Sequence, residues 1–449
     1  MITDMTEGKP SKTLWLFSMP MLLSVVFQQL YNIVDSVVAG KFIGSEALAA
    51  IGASYPVTMI FMAVAAGGNI GAAVVISQLF GAKKFSRMKT AVSTAIISMM
   101  CIALILTVLG LFFCPSMLRL LNTPENIFTG SALYLNIYTV GLVFLFLYNI
   151  STGVFTALGD SKTPLYFLIA SSVGNIILDL VFVICFKMGI AGVAWATFIA
   201  QGISSLMAAF VLMKRLREIK VERYIKFSWK MLKNISKIAV PSILQQSFVS
   251  VGNLFVQGRV NSFGSEVIGG YSAAVKLNTF AITSFSTLGN AVSSYTAQNI
   301  GAGRKYRIPE GLKAGMIIML IIALPFFSAY FIIPEFMMNI FVDSSDASII
   351  DVGKVFLRIV SPFYIIIGIK LIIDGILRGM GKMKQFMMST FSDLILRVVL
   401  AYVFSYILDS SVGIWMSWPI GWSAAMIIST VCYIALYRKE LCGNKKLTH

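Results

Sequence analysis

Two aspartates lie where an aspartate is expensive. Asp35 falls in the first long apolar segment of the chain and Asp179 in the fifth. A charged side chain at the centre of a bilayer costs about 2.5–3.5 kcal/mol or more unless it is paired or hydrated. Asp35 closes a polar stripe of Gln28, Tyr31, Asn32 and Asp35, whose i, i+3, i+4, i+7 spacing places them on one face of a helix. No lysine or arginine lies one turn away. Asn175 and Asp179 are four residues apart, again on one face and again without a basic neighbour, and Thr197 supplies a hydroxyl from the next segment. If these faces converge, two carboxylates, an amide oxygen and a hydroxyl meet. All are hard oxygen donors, suited to Na+ rather than to a soft metal. The same cluster suits a proton, because two adjacent carboxylates repel when both are ionised. Hydrogen bonding between neighbouring helices is the plainer use of such residues, and composition alone leaves both open.

The second half of the chain carries a different polar set. The stripe matching that of Asp35 is Gln246, Ser250, Asn253 and Gln257, with no acid in it. Asp374 is four residues from both Lys370 and Arg378, and Asp393 is four residues from Arg397, spacings that predict internal salt bridges. Arg259 and Lys276 favour anions if their heads face a cleft, and snorkel to the interface if they lie near helix ends. Gln28, Asn32, Gln246, Asn253, Gln257 and Lys276 are the candidates to line such a cleft. Pro20, fifteen residues before Asp35, removes an N–H and crowds the carbonyl of Leu16, so it can hinge the first helix or simply kink it.

The elements that must position these residues are membrane helices. The chain has 449 residues, 57% hydrophobic and only 12% charged. Soluble domains carry roughly 25% charged residues, so a soluble enzyme, a disordered chain and a fibrous protein are excluded. Twelve apolar segments are expected, at 14–39, 47–79, 91–113, 131–157, 165–186, 190–212, 238–261, 267–297, 311–333, 352–377, 386–407 and 413–436. The net charge of +17 sits mostly in alternate loops. Lys83, Lys84, Arg87 and Lys89, then Lys162, the 214–237 stretch, Arg304, Lys305 and Arg307, and Arg378, Lys382 and Lys384 occupy one side; Lys41, Arg119, Lys187, Asp343, Asp346 and Asp409 occupy the other. The positive-inside rule then puts both termini in the cytoplasm of a multi-pass inner (plasma) membrane protein and leaves nucleic acid without a soluble module to bind. The N-terminal apolar run is read as an uncleaved first span.

An internal repeat divides the spans. FIGSEALAA at 42–50 matches SFGSEVIGG at 262–270, and SQLFGA at 77–82 matches AQNIGA at 297–302, both 220 residues apart. Pro20 pairs with Pro241, Asn32 with Asn253, and Gly159 with Gly381 at nearly the same offset. This predicts an all-α fold of two six-helix lobes, 1–212 and 238–449, related by a pseudo-two-fold axis along the membrane normal and joined by a basic, amphipathic 213–237 linker. Two like lobes predict a cleft that opens to one side at a time. The five cysteines, Cys101, Cys114, Cys185, Cys432 and Cys442, are odd in number and form no CxxC. The only histidine is His449, so neither a disulfide framework, a zinc site nor His-based catalysis is indicated. No cofactor is expected, and the chain reads as a non-enzyme; AGGNIG around Gly67, Gly68 and Gly71 is a close-packing stripe, not a nucleotide loop.

Taken in order, Pro20, Asp35, Gly44, Ala49-Ala50, ALGDSKTP at 157–164 and Gln298-Asn299-Ile300-Gly301-Ala302 resemble the multidrug and toxic compound extrusion (MATE) transporters of the MOP flippase superfamily, over about 12–437. The resemblance is to the DinF-like branch. It implies an N-lobe cation site on Tyr31, Asp35, Asn175, Asp179 and Thr197, and a helix-bending role for Pro20. The glutamate that the NorM branch carries on its seventh helix is replaced here by Gln245 and Gln246, which puts a second cation site in doubt. The resemblance implies a monomeric antiporter that exports cationic, lipophilic drugs in exchange for H+ or Na+, with Met-rich walls (24 Met) able to repack around varied compounds. A flippase or exporter of a lipid-linked or anionic substrate is the alternative; it would need Lys276, Arg259 and Lys370 free in a basic cleft. A membrane-embedded enzyme and a passive channel lack a catalytic dyad and a filter, respectively.

Overall fold

The computed structural model describes residues 3–38, 42–342 and 346–438. Lys41, Asp343, Cys442 and His449, all used in reading the sequence, lie outside them. The described residues are helical and contain no strand. The helices are α1 (Pro10–Val38), α2 (Ser45–Gly81), α3 (Phe85–Leu120), α4 (Glu125–Val140), α5 (Leu142–Ala157), α6 (Lys162–Leu180), α7 (Ile190–Glu218), α8 (Trp229–Asn261), α9 (Ser265–Gly301), α10 (Ile308–Ile332), α11 (Pro334–Met338), α12 (Ala347–Val360), α13 (Tyr364–Gly379), α14 (Met383–Ile407) and α15 (Val412–Leu436).

Among the described residues, ten helical segments are long and apolar enough to cross a bilayer, and α4 with α5 forms an eleventh if counted together. The twelfth is α9. Its 37 residues are long enough, but it is rich in Ser, Thr, Asn and Gln. α9 tolerates this because those groups face protein: Tyr364 Oη donates to Asn278 Oδ1 (3.1 Å) and Tyr330 Oη to the Leu277 carbonyl (3.0 Å). The chain is therefore a polytopic all-α membrane protein of twelve spans in two six-helix lobes. The lipid-facing helices show the reverse pattern: on α3, Leu104, Ile105, Val108 and Phe112 are 53–78% exposed.

Two segments expected to be single helices are broken. The 131–157 segment splits at Gly141 into α4 and α5, bent by 47°. The 352–377 segment splits into α12 and α13 at a 3-10 turn, Ser361–Phe363, where Pro362 cannot donate a backbone hydrogen bond. The 213–237 stretch is part helix and part irregular. α7 runs on to Glu218, α8 starts at Trp229, and residues 219–228 between them are irregular.

The chain divides into two compact units: Met1–Asp4 with Met19–Ser247, and Met5–Ser18 with Phe248–His449. The divisions fall inside α1 and α8, whereas the repeat spacing draws the boundary at 213–237. In the first unit α2 packs on α3, α4 and α5, and α7 on α4, α5 and α6. In the second, α9 packs on α10, α12 and α13, and α15 on α12, α13 and α14, around an aromatic core in which Tyr271 stacks on Trp415 (4.9 Å between centroids, 10° between planes). The N-terminal segment is strapped to the second unit. Met5 N–H donates to Gln298 Oε1 (3.0 Å), Asn299 Nδ2 to the Met5 carbonyl (3.2 Å), and Arg307 Nη2 to the Gly8 carbonyl (2.7 Å).

The repeat is visible in the backbone. Gly44 (φ 120°) precedes α2 and Gly264 (φ 94°) precedes α9, both helices being 37 residues long. Gly159 (φ 80°) and Gly381 (φ 73°) turn the chain at matching places, in a region that side chains other than glycine avoid. In the first unit, close packing at glycine joins α2 to α8: a Cβ on Gly67 would lie 2.5 Å from the Ile243 backbone nitrogen. Gly67→Ala is therefore expected to destabilise the protein by about 1–3 kcal/mol, read as a lowered thermal midpoint in detergent. Gly258→Ala, where nothing lies within 4 Å of the new methyl, should not lower it. Equal midpoints for the two variants would contradict this packing.

Candidate functional site

The first unit gathers the acids of the first and fifth predicted spans. α1 presents Tyr31 and Asp35, α6 presents Asn175 and Asp179, and α7 presents Thr197. α6 and α7 pack directly on one another, which brings Asn175 to Thr197. The carboxyl groups of Asp35 and Asp179 lie next to each other. Asn175 bridges the other two elements: in the amide orientation that matches donors to acceptors, its Nδ2 donates to Asp179 Oδ2 (3.1 Å) and its oxygen accepts from the Thr197 backbone N–H (3.0 Å). The Tyr31 hydroxyl lies beside the Thr197 hydroxyl.

Burial makes this arrangement costly. Asp179 has no exposed surface and Asn175 is 3% exposed. Asp35 Oδ1 and Asp179 Oδ1 are both buried and neither has a hydrogen-bond partner. Among the described residues, no lysine, arginine or histidine nitrogen lies within 4.0 Å of either carboxyl. Two ionised carboxyl groups side by side repel, and a proton or a cation shared by the pair relieves that repulsion. The oxygens gathered here are those of two carboxyl groups and the Tyr31 and Thr197 hydroxyls, while Asn175 faces Asp179 with its nitrogen. Chemically the cluster can hold a proton, or a small hard cation in the proton's place.

The sequence missed part of the surroundings. Tyr134 on α4 lies near both Asp35 and Asp179. Tyr134 stacks on Tyr138 (6.3 Å) and, with Tyr138, Thr197, Phe198 and Gln201, lines a small pocket in this unit. Thr197 belongs both to the pocket wall and to the carboxyl cluster. The signal was the Tyr–Tyr spacing of four in the fourth span, which apolar periodicity alone does not separate from core packing.

The other expected residues divide between the two units. Gln28 and Asn32 are exposed on α1, where Asn32 Nδ2 donates to Gln29 Oε1 (3.2 Å). Gln246 is half-buried in the first unit. Asn253, Gln257 and Lys276 belong to the second unit; Gln257 Nε2 donates to Asn261 Oδ1 (2.8 Å), and Lys276 lies over the Phe341 ring (5.8 Å). Pro20 sits inside an unbroken α1, and its carbonyl accepts from Ser24 Oγ (2.9 Å).

The basic residues of the second unit are mostly engaged. Lys370 Nζ pairs with Asp374 Oδ2 at 2.7 Å, both buried, and Asp374 Oδ1 accepts from Ser429 Oγ (2.6 Å). Arg378 is not within 4.0 Å of Asp374; its guanidinium lies 5.3 Å from the centre of the Phe386 ring. The expected Asp393–Arg397 bridge is likewise absent. Arg397 lies over the Trp418 ring at 4.6 Å, which takes its guanidinium away from the acid on its own helix. Arg259 donates to Ser405 Oγ (2.7 Å) and to Ser262 Oγ (3.3 Å) near the end of α8, a structural use.

Fold and site together describe a multi-pass membrane protein with an unneutralised carboxyl pair inside its first helical unit. Against known proteins, the family model described as MatE matches residues 20–181 and 241–403, the two halves of the repeat. The chain belongs to the MATE family of membrane transporters, and it is not an enzyme. It is 30% identical over 411 residues to the probable multidrug resistance protein YpnP of Bacillus subtilis (strain 168), covering 91% of each chain. It is 25% identical over 372 residues to the multidrug export protein MepA of Staphylococcus aureus (strain NCTC 8325 / PS 47), covering 83% of this chain and 82% of that one. In fold it is similar to a MOP superfamily transporter from Pyrococcus furiosus, with a TM-score of 0.89 at 21% identity over 97% of this chain and 98% of the other. It is equally similar to a MATE protein solved in complex with MaL6, with a TM-score of 0.90 at 22% identity, covering 97% and 99%.

The carboxyl contact has a spectroscopic consequence. Infrared difference spectra of the wild type are expected to show a protonated-carboxyl band that Asp35→Asn and Asp179→Asn each remove. A band that survives both substitutions would assign the proton elsewhere.

Proposed function

We propose that the protein is a cation-coupled multidrug efflux antiporter that exports cationic or lipophilic organic compounds by alternating access. Its coupling site is Asp35, Asp179, Asn175, Thr197 and Tyr31. The observation that carries this reading is the pair of buried carboxyl groups in mutual contact with no basic partner. A static helix contact gains nothing from two unneutralised acids, whereas a site that must load and release H+ or Na+ needs affinity for a cation that no fixed charge cancels. Two lobes, 1–212 and 238–449, joined by 213–237, with both termini in the cytoplasm of the plasma membrane, complete the reading.

Coupling requires that cation and substrate each weaken the other's binding, typically by about 1–3 kcal/mol. α1 is the element suited to transmit it. It carries Asp35, and at Pro20 it lacks one backbone hydrogen bond, so bending there costs less than elsewhere in the helix. Thr197 joins the cluster to the small pocket lined by Tyr134, Tyr138 and Gln201. The polar faces of α1, α8 and α9, with Gln28, Asn32, Gln246, Asn253, Gln257 and Lys276, are the remaining substrate candidates.

The alternative, a flippase or exporter of an anionic or lipid-linked substrate, draws less support. Two of the basic residues it needs, Lys370 and Arg259, are held by Asp374 and by Ser405 and Ser262.

Efflux of a cationic dye from cells or proteoliposomes tests the reading. Asp35→Asn is expected to reduce efflux to the level of an empty vector at unchanged expression. Thr197→Val should reduce it in part, and Lys370→Ala paired with Asp374→Ala should preserve it wherever the double variant folds. Undiminished drug resistance with Asp35→Asn would refute the site.

A further inference from the structure

The basic stretch between α7 and α8 is absorbed by neither the transport site nor the fold. We propose that residues 214–237 form a docking site for anionic phospholipid headgroups of the cytoplasmic leaflet. The inference rests on the proposed orientation, in which this stretch is cytoplasmic.

The segment is ordered. Ser86 Oγ on α3 donates to the Arg223 carbonyl (2.6 Å), Ile225 N–H donates to Thr90 Oγ1 (3.2 Å), and Ser228 N–H donates to Thr94 Oγ1 (3.1 Å). Three hydroxyls spaced four residues apart on one face of α3 thus hold an extended strand of backbone along that helix. A loop that only had to carry topogenic charge would need no such pinning.

What the pinned segment presents is a mixture. Ile225 is 67% exposed and Trp229 76% exposed, with Phe227 packed edge-on against Trp229 (5.0 Å). Around them, Lys220, Arg223 and Lys226 are exposed along the segment. Lys230, Lys233 and Lys237 follow at i, i+3 and i+7 on one exposed face of α8, while Ile235, Ile238 and Ala239 face inward. Lys83, Lys84 and Arg87 add exposed charge from the start of α3. Acid offsets little of this: Glu218 pairs with Arg215 (3.6 Å), and Glu222 is the one other acid between 214 and 237.

Charge alone would suit any polyanion. Exposed Trp and Ile beside the charge select a partner with an apolar layer under an anionic surface, which is a membrane interface rather than a nucleic acid or a free phosphate. Lysine stems lie along the apolar boundary with their ammonium groups among the headgroup phosphates.

Trp229 is its own reporter. The full-length protein is reconstituted in phosphatidylcholine vesicles doped with brominated phosphatidylglycerol or with brominated phosphatidylcholine. The Trp229 contribution is the quenching lost in Trp229→Phe. Stronger quenching by the brominated anionic lipid is expected. Its preference over the zwitterionic lipid should fall by about five-fold for each basic residue neutralised in Arg223→Gln, Lys226→Gln and Lys230→Gln. Asp35→Asn should keep the preference, so loss of transport and loss of lipid selectivity separate. Equal quenching by both lipids, no quenching of Trp229, relief of quenching by inorganic phosphate or by an RNA oligonucleotide at constant ionic strength, or labelling of Lys226→Cys from the extracellular side would each overturn the proposal.

Discussion

Two carboxyl groups face each other inside a helical unit with no cation beside them, and much of the first unit is arranged to make that possible. Asp35 and Asp179 come from different helices, so α1 and α6 must both present a polar face at the same depth. Asn175 satisfies one oxygen of Asp179 while its own oxygen is held by the Thr197 backbone, and Asp35 Oδ1 and Asp179 Oδ1 are buried without a hydrogen-bond partner. The second unit shows what a structural acid looks like in this protein. Asp374 is equally buried, but Lys370 lies 2.7 Å away and Ser429 hydrogen-bonds its other oxygen. Asp374 is neutralised in place; the Asp35–Asp179 pair has no lysine or arginine within salt-bridge distance among the described residues.

The two halves of the repeat therefore share a backbone plan and diverge in chemistry. Gly44 and Gly264 start helices of equal length, and Gly159 and Gly381 make matching turns. Yet α2 is apolar enough to be recognised as a span and α9 is not. Buried Tyr364 hydrogen-bonds Asn278 of α9, and an aromatic cluster around Trp415, Trp418 and Trp422 packs in the second unit. Stacked rings and a neutralised lysine–aspartate pair favour one packing. The Asp35–Asp179 pair lies in the other half.

Much of this was legible from residue spacing because membrane helices expose their constraints. The i, i+3, i+4, i+7 stripe ending at Asp35 and the Asn175–Asp179 spacing named residues that the fold brings into contact. What spacing could not reach was set by tertiary contacts. Gly141 and Pro362 break helices that hydropathy reads as continuous, because a local bend leaves mean apolarity unchanged. Arg397 turned to Trp418 instead of Asp393, a choice made by a ring on another helix. Tyr134 entered the site's surroundings through the fold of α4, and the 219–228 stretch follows α3 because of hydroxyls more than 130 residues away in the chain.

The central claim is that drug and cation compete through the Asp35–Asp179 pair. The most direct measurement is cation release on drug binding by purified protein without any gradient, followed by a pH indicator for H+ and by radiolabelled Na+ for sodium. The account predicts that drug binding expels one of these cations from the wild type, and that Asp35→Asn and Asp179→Asn bind drug without expelling either. Release unchanged in both variants, or drug binding to the wild type that displaces neither cation, would contradict it.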